Sequence, residues 1–261
     1  MKFSFTTLGI SSASPMPDRY QSAHVLRICG RLFLIDCGEG CQYLLKRHGI
    51  SIPKLDAIFI SHTHGDHIFG LFGLLNTMGM KRRTKDLNIY GPESLGPVLD
   101  FYQSNFVDEE YYKIFFHVVN PEDVETVYED DDIIVSSFHL LHGVTTNAYV
   151  FKEKNVDGRS FAYISDTAGF DGLSAKVKGV DMIYHEATFG EELSSKASRM
   201  FHSTACQAAN IAVEAGAKKL ILGHFSSVYS DPSVLLPEAQ TIFPETFIGE
   251  EGMEFEVPSH K

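Results

Sequence analysis

The sequence predicts an α+β protein: a four-layer αββα sandwich built as one domain over residues 1–261. Three observations predict it. Strand-like runs come in series. Helix-like runs fall between and after them. One apolar run is continuous enough to be covered on both faces. No Pro/Gly/Ser-rich linker and no internal repeat divides the chain.

Residues 3–8, 24–28 and 31–35 are short apolar runs separated by turn residues, the pattern of a β-meander. Residues 41–48 follow Gly38-Glu39-Gly40 and carry Leu44 and Leu45, which reads as a helix. The run 55–60 is nearly all apolar, as a strand buried on both faces requires. Residues 68–80 read as a helix with apolar residues on most sides. A short strand at 87–90 ends at Gly91-Pro92, and 97–106 is helical. Strands follow at 114–119, 124–128 and 133–140. Residues 146–152 and 159–165 pair as a hairpin around Asn155-Val156-Asp157-Gly158. A loop and helix at 168–177 lead to a strand at 181–185. The next helix, 203–215, takes Ser203 as N-cap and Gly216 as its C′ residue. A strand at 219–223 and a helix at 232–243 complete the pattern.

Composition narrows the function. Hydrophobic residues at 44% and charged residues at 21% suit a folded globular chain and exclude compositional disorder. No apolar run approaches the roughly 20 residues of a membrane span. The N-terminus lacks a basic stretch followed by an apolar core, so no secretory signal is expected. Cys29, Cys37, Cys41 and Cys206 form no Cys-x-x-Cys pair and are expected as free thiols in a reducing cytoplasm. A net charge of −12 argues against a broad basic face for nucleic acid. The run Lys81-Arg82-Arg83-Thr84-Lys85 is the densest basic stretch, either a local grip on substrate or a solvated loop.

The chemistry concentrates in Ser61-His62-Thr63-His64-Gly65-Asp66-His67, directly after the buried strand. Three imidazoles and a carboxylate at a strand end, with Gly65 letting the chain turn, form a ligand set for a metal such as zinc. So many donors in one short loop cannot all wrap one ion, which calls for partners elsewhere. Three further candidates sit where strands run out: His142, Asp166 and His224.

These segments resemble the metallo-β-lactamase superfamily in its ribonuclease Z (tRNA 3′-processing endonuclease) branch. The likeness runs in order through 34–40, 61–67, 69–75, Ser165-Asp166-Thr167, His185-Glu186-Ala187-Thr188-Phe189, His202-Ser203-Thr204-Ala205 and Gly223-His224-Phe225-Ser226. The resemblance implies two zinc ions, with manganese or iron as alternatives. His62, His64 and His142 would hold one, Asp66, His67 and His224 the other, and Asp166 would bridge. His139 is expected to be structural, and Asp36 a buried carboxylate bonded near the site. The resemblance also implies hydrolysis of a phosphodiester by a water activated between the ions. Asp66 would act as general base, His202 as proton donor to the leaving ribose oxygen, and Glu186 as the group orienting His202.

The same resemblance implies a long tRNA-clamping arm between the third histidine motif and the bridging aspartate. Here His142 and Asp166 lie 24 positions apart, room for a hairpin only. Val228 stands where the family usually has Arg, and Tyr20 follows Arg19 where it usually has Asn. Three readings therefore stay open. The chain is a tRNA-precursor endonuclease gripping RNA through Arg19, Lys81, Arg82, Arg83 and Ser226, or through a partner subunit. Or it is an arm-less phosphodiesterase for cyclic nucleotides and similar small esters. Or it is a non-catalytic scaffold. A homodimer is a further expectation, weakened by the missing arm.

Overall fold

The computed structural model describes residues 1–107, 111–155 and 158–259. Two seven-stranded sheets face each other. In the first, β1 (Ser4–Gly9), β2 (Ala23–Ile28) and β3 (Arg31–Cys37) form the meander, and β4 (Ala57–Phe59), β5 (Leu87–Gly91) and β6 (Ile114–Val118) continue it in parallel. In the second, β7 (Glu125–Glu129), β8 (Ile133–His139), β9 (Asn147–Glu153) and β10 (Ser160–Ile164) are antiparallel. Then β11 (Met182–Glu186), β12 (Lys219–Gly223) and β13 (Thr246–Ile248) run parallel. The last strand, β14 (Glu254–Glu256), returns to pair with β1.

Parallel neighbours need crossovers, and helices supply them. The first sheet is covered by α1 (Cys41–Arg47), α2 (Gly65–Ile68), α3 (Leu71–Met80) and α4 (Gly96–Phe106). The second carries α5 (Leu173–Lys176), α6 (Ser194–Arg199), α7 (Ala205–Ala215) and α8 (Leu236–Ile242). Period-two alternation sorts each strand between layers. In β3, Phe33 and Ile35 enter an aromatic core between the sheets, while Leu32 and Leu34 pack under the helices. In β11, Met182 and Tyr184 face the centre and Ile183 faces α7.

α3 buries Leu71, Leu74, Leu75 and Met78, one stripe at helical spacing. α7 buries Ala205, Ala208, Ala209, Ala212 and Ala215, small side chains that let the helix settle close to its sheet. Among the described residues no helix is long and apolar enough to cross a membrane.

Several boundaries differ from expectation. The helix expected at 68–80 breaks at Phe69-Gly70. Gly70 donates its N–H to Cys37 O, and a Cβ on it would stand 2.1 Å from Gly38 O. The N-cap of α7 is Thr204, not Ser203. Thr204 and Gln207 form a reciprocal capping box. Ser203 turns instead to Thr167 O and Glu186. The late helix starts as a tight 3₁₀ turn, Pro232–Leu235. The strands β13 and β14 and the helix α6 are too short for periodicity to reveal. Val156 and Asp157 of the expected hairpin turn lie outside the described residues; Gly158 N–H closes on Asn155 O at 3.1 Å.

Candidate metal centre

Every candidate ligand sits just beyond a strand's carboxyl end, on one edge of the sandwich. The loop after β4 carries His62, His64, Asp66 and His67. His142 follows β8, Asp166 follows β10, and His224 follows β12. The two sheets are locked together here: Asn147 N–H donates to Ser61 O at 2.9 Å, and Tyr149 OH to Ile60 O at 2.7 Å.

Beneath the ligands lies Asp36. It is the extra residue of a β-bulge, since Cys37 pairs with Ala23 and Ile35 with His24. Its φ of +56° is a left-handed value that a non-glycine residue adopts at a cost. The bulge aims its buried carboxylate at four donors: Ser61 N–H at 2.7 Å, Ser61 OH at 2.9 Å, Tyr163 OH at 2.7 Å and His67 Nδ1 at 2.8 Å. Asp36→Asn should lower unfolding stability by roughly 3 kcal/mol, because a buried charge-assisted network loses its acceptor. Urea denaturation measures this, and a loss under about 0.5 kcal/mol would show the network to be dispensable.

The donors gather into two groups of four. His62, His64, His142 and Asp166 form one; Asp66, His67, His224 and Asp166 form the other. Within each group the donor atoms lie within 4.8 Å of one another, and Asp166 belongs to both. His64 Nδ1 stands 3.1 Å from His62 Nε2 and 3.2 Å from His142 Nε2. His224 Nε2 stands 3.2 Å from Asp66 and 3.3 Å from Asp166. His139 belongs to neither group; its Nε2 meets Asn120 at 3.1 Å.

The rings of His142, His62 and His224 are held from behind. His142 Nδ1 donates to Phe201 O at 2.9 Å. His62 Nδ1 lies 3.0 Å from Ser61 Oγ, and His224 Nδ1 lies 2.9 Å from Thr188 Oγ1. Such outer partners orient a ligand's other nitrogen toward the centre.

The donor set fits a divalent cation. His67 Nε2 and Asp166 Oδ1 are buried with no hydrogen-bond partner, a costly state unless another group satisfies them. Burial, reinforced by His67, pushes the His62 imidazole well below its usual pKa, so it is a neutral donor. Burial likewise lowers His142. Burial opposes charge on Asp66, but His67 and His224 outweigh it and hold the carboxylate far below its ordinary range. Neutral His62 and His142 beside the ionised Asp66 suit a metal site. His67 differs: burial opposes its charge, but Asp166, Asp36 and Asp66 outweigh burial and hold it well above its usual pKa. A bound cation would have to displace its proton.

Beside the groups, His202 Nδ1 donates to Glu186 Oε1 at 2.9 Å. Glu186 also accepts from Thr167 N–H, Ser203 N–H, Thr188 N–H and Thr188 OH, which fixes it rigidly. Burial would lower the His202 pKa, but Glu186 overrides it and raises the ring to about 9. His202 is therefore protonated at neutral pH, with Nε2 left for the cavity that the ring lines. That cavity of about 560 Å³ is also lined by His64, Asp66, His142, Asp166 and Ser226.

The basic run lies elsewhere. Lys81 and Arg82 are exposed at the far end of α3, about 15 Å along the helix from its start beside Gly70. Arg83, expected to grip substrate, is turned inward and is only 3% exposed. Its guanidinium donates to the carbonyls of Pro53, Leu55, Lys85 and Asp86, and so braces the start of β4, the end opposite the ligands. Arg19 is also buried, its Nη2 donating to Tyr229 O at 2.6 Å. It lines a neighbouring hollow with Tyr20 and Tyr43 rather than the ligand cavity. Thr188, which touches Glu186 and lies beside His202 and His224, escaped the sequence reading; its place two residues after Glu186 was the available signal. The Phe201 carbonyl and Lys196 had no sequence signal.

Comparison with known proteins agrees with this geometry. A beta-lactamase superfamily domain matches residues 31–225. The chain is 34% identical to ribonuclease Z of Bacteroides thetaiotaomicron over 302 positions, covering 97% of this chain and 94% of that protein. It is 36% identical to ribonuclease Z of Cytophaga hutchinsonii over 303 positions, covering 98% and 97%. The crystal structure of human tRNase Z, short form, superposes with a TM-score of 0.86 at 31% identity, covering 98% of this chain and 99% of that one. Both alignments with the bacterial relatives exceed the 261 residues of this chain, so those relatives carry residues with no counterpart here.

Proposed function

Because this chain belongs to the beta-lactamase superfamily and, within it, to the ribonuclease Z family, we propose that it is an endonuclease removing the 3′ trailer of tRNA precursors with two zinc ions. It is a metal-dependent hydrolase of phosphodiesters. The observation that carries the substrate class is the Glu186–His202 pair beside two donor groups that share Asp166.

His62, His64 and His142 with Asp166 would hold one ion; Asp66, His67 and His224 with Asp166 the other. Bound there, the ions supply Lewis acidity to the phosphate and a water of lowered pKa. Asp66 keeps a carboxylate oxygen available to receive that water's proton. His202 carries a proton on Nε2 toward the leaving ribose oxygen, and Glu186 keeps the ring charged and oriented. Cytoplasmic residence suits four cysteines that all carry free thiols.

One observation favours a second reading. Between His142 and Asp166 the described residues are taken up largely by β9 and β10, and both strands lie inside the sheet. A small cyclic or linear phosphodiester would need no arm. The test offers the zinc-loaded protein a tRNA precursor with a 3′ trailer and, in parallel, bis-p-nitrophenyl phosphate. Cleavage at the 3′ side of the discriminator nucleotide is expected. Ester turnover with an uncut precursor would move the substrate to small esters.

A further inference from the structure

We propose that Lys196 binds the RNA phosphate on the 5′ side of the leaving ribose, one phosphate upstream of the bond that is cut. The inference deepens the phosphodiesterase reading above and rests on it. Lys196 lies on α6, between Glu186 and His202 in sequence, and lines the ligand cavity. Among the described residues lining that cavity, Lys196 is the one lysine or arginine. Ser226, Ser227 and Val228 also line the cavity and bring no cation to it.

The ammonium is positioned and uncommitted. Its Nζ stands 4.9 Å from the ring centroid of Phe189, a cation–π contact that steers the flexible stem without neutralising its charge. The nearest acidic residues in sequence are engaged elsewhere. Glu191 accepts from Thr204 OH at 2.8 Å, and Glu192 accepts from Tyr229 OH at 2.5 Å. Among the described residues Lys196 has no carboxylate partner, and a half-buried lysine facing a site for anions lacks only its anion.

Its place relative to the chemistry selects which phosphate. The Phe189 ring that carries Lys196 packs edge-on against His202 at 6.2 Å. The turn ending α6 also presents His202, whose N–H donates to Ala197 O at 2.9 Å. Lys196 therefore sits beyond His202 from the donor groups. His202 faces the leaving oxygen, so a strand running past it brings its next upstream phosphate to Lys196. Exposed Met200 and Phe201 extend the same wall and offer apolar surface to a base.

The test uses ester turnover as reporter and two short RNAs as competitive inhibitors: UpU, with one phosphate, and UpUpU, with two. In the wild type, UpUpU should inhibit about tenfold more tightly than UpU, the worth of one charge-assisted contact. Lys196→Met should erase that ratio, and Lys196→Arg should restore it to within about threefold. The salt dependence of UpUpU inhibition should flatten by about 0.7 in log–log slope in Lys196→Met, as expected when one phosphate is no longer neutralised. An unchanged ratio in Lys196→Met, or equal inhibition by both RNAs in the wild type, would overturn the assignment. Wild-type ester turnover tests the phosphodiesterase reading by itself, so the two ideas fail separately.

Discussion

Asp166→Ala should abolish turnover, by on the order of 10⁴-fold, and strip the protein of most of its metal. Among the described residues Asp166 alone has this leverage, because it is the donor common to both groups of four. Removing His64 leaves one group of four intact; removing Asp166 breaks both. Asp166→Asn keeps the size but removes the negative charge and leaves one neutral carbonyl oxygen, and should retain metal weakly. Elemental analysis of the purified variants beside initial rates makes the comparison. Activity within tenfold of wild type in Asp166→Ala would sink the shared-ligand arrangement. Fold damage is separable: the site lies at strand ends beyond the aromatic core, so far-ultraviolet circular dichroism should be unchanged.

His202→Ala is expected to keep its metal and lose kcat by about 10²–10⁴-fold on RNA. The loss should be much smaller on bis-p-nitrophenyl phosphate, whose phenolate leaves without a proton. That difference between substrates is what a merely structural histidine would not produce. Glu186→Gln should fall between wild type and His202→Ala, since the ring would keep a partner but lose the charge that raises its pKa. Equal losses on both substrates would argue against proton donation.

Sequence patterns were legible where one residue sufficed. Strand ends are marked by apolar runs that stop, so His62, His142, Asp166 and His224 could be placed at strand ends before any contact was known; that those ends share one edge came from the sheet topology. They were not legible where position depends on what another segment does. Lys81 to Lys85 reads as a charged surface, yet Arg83 is pulled under β4 by four carbonyls, which no local pattern encodes. Ser203 and Thr204 are equally good caps in sequence. The Ser203 hydroxyl donates to Thr167 O, and Thr204 is the residue whose side chain caps α7. Lys196 was invisible because one lysine on a six-residue helix has neither periodicity nor a motif.

Thr188 has a single hydroxyl proton, and that proton goes to Glu186 Oε2 at 2.7 Å. Toward His224 the same oxygen can then only accept, so His224 must carry its hydrogen on Nδ1. Ser61 repeats the logic: its proton goes to Asp36, and His62 must carry hydrogen on Nδ1 in turn. Two hydroxyls thus dictate the tautomer of two rings and free both Nε2 lone pairs at once. Thr188→Val would leave every ring in place and every distance nearly unchanged, yet remove the one group that tells His224 which nitrogen to offer.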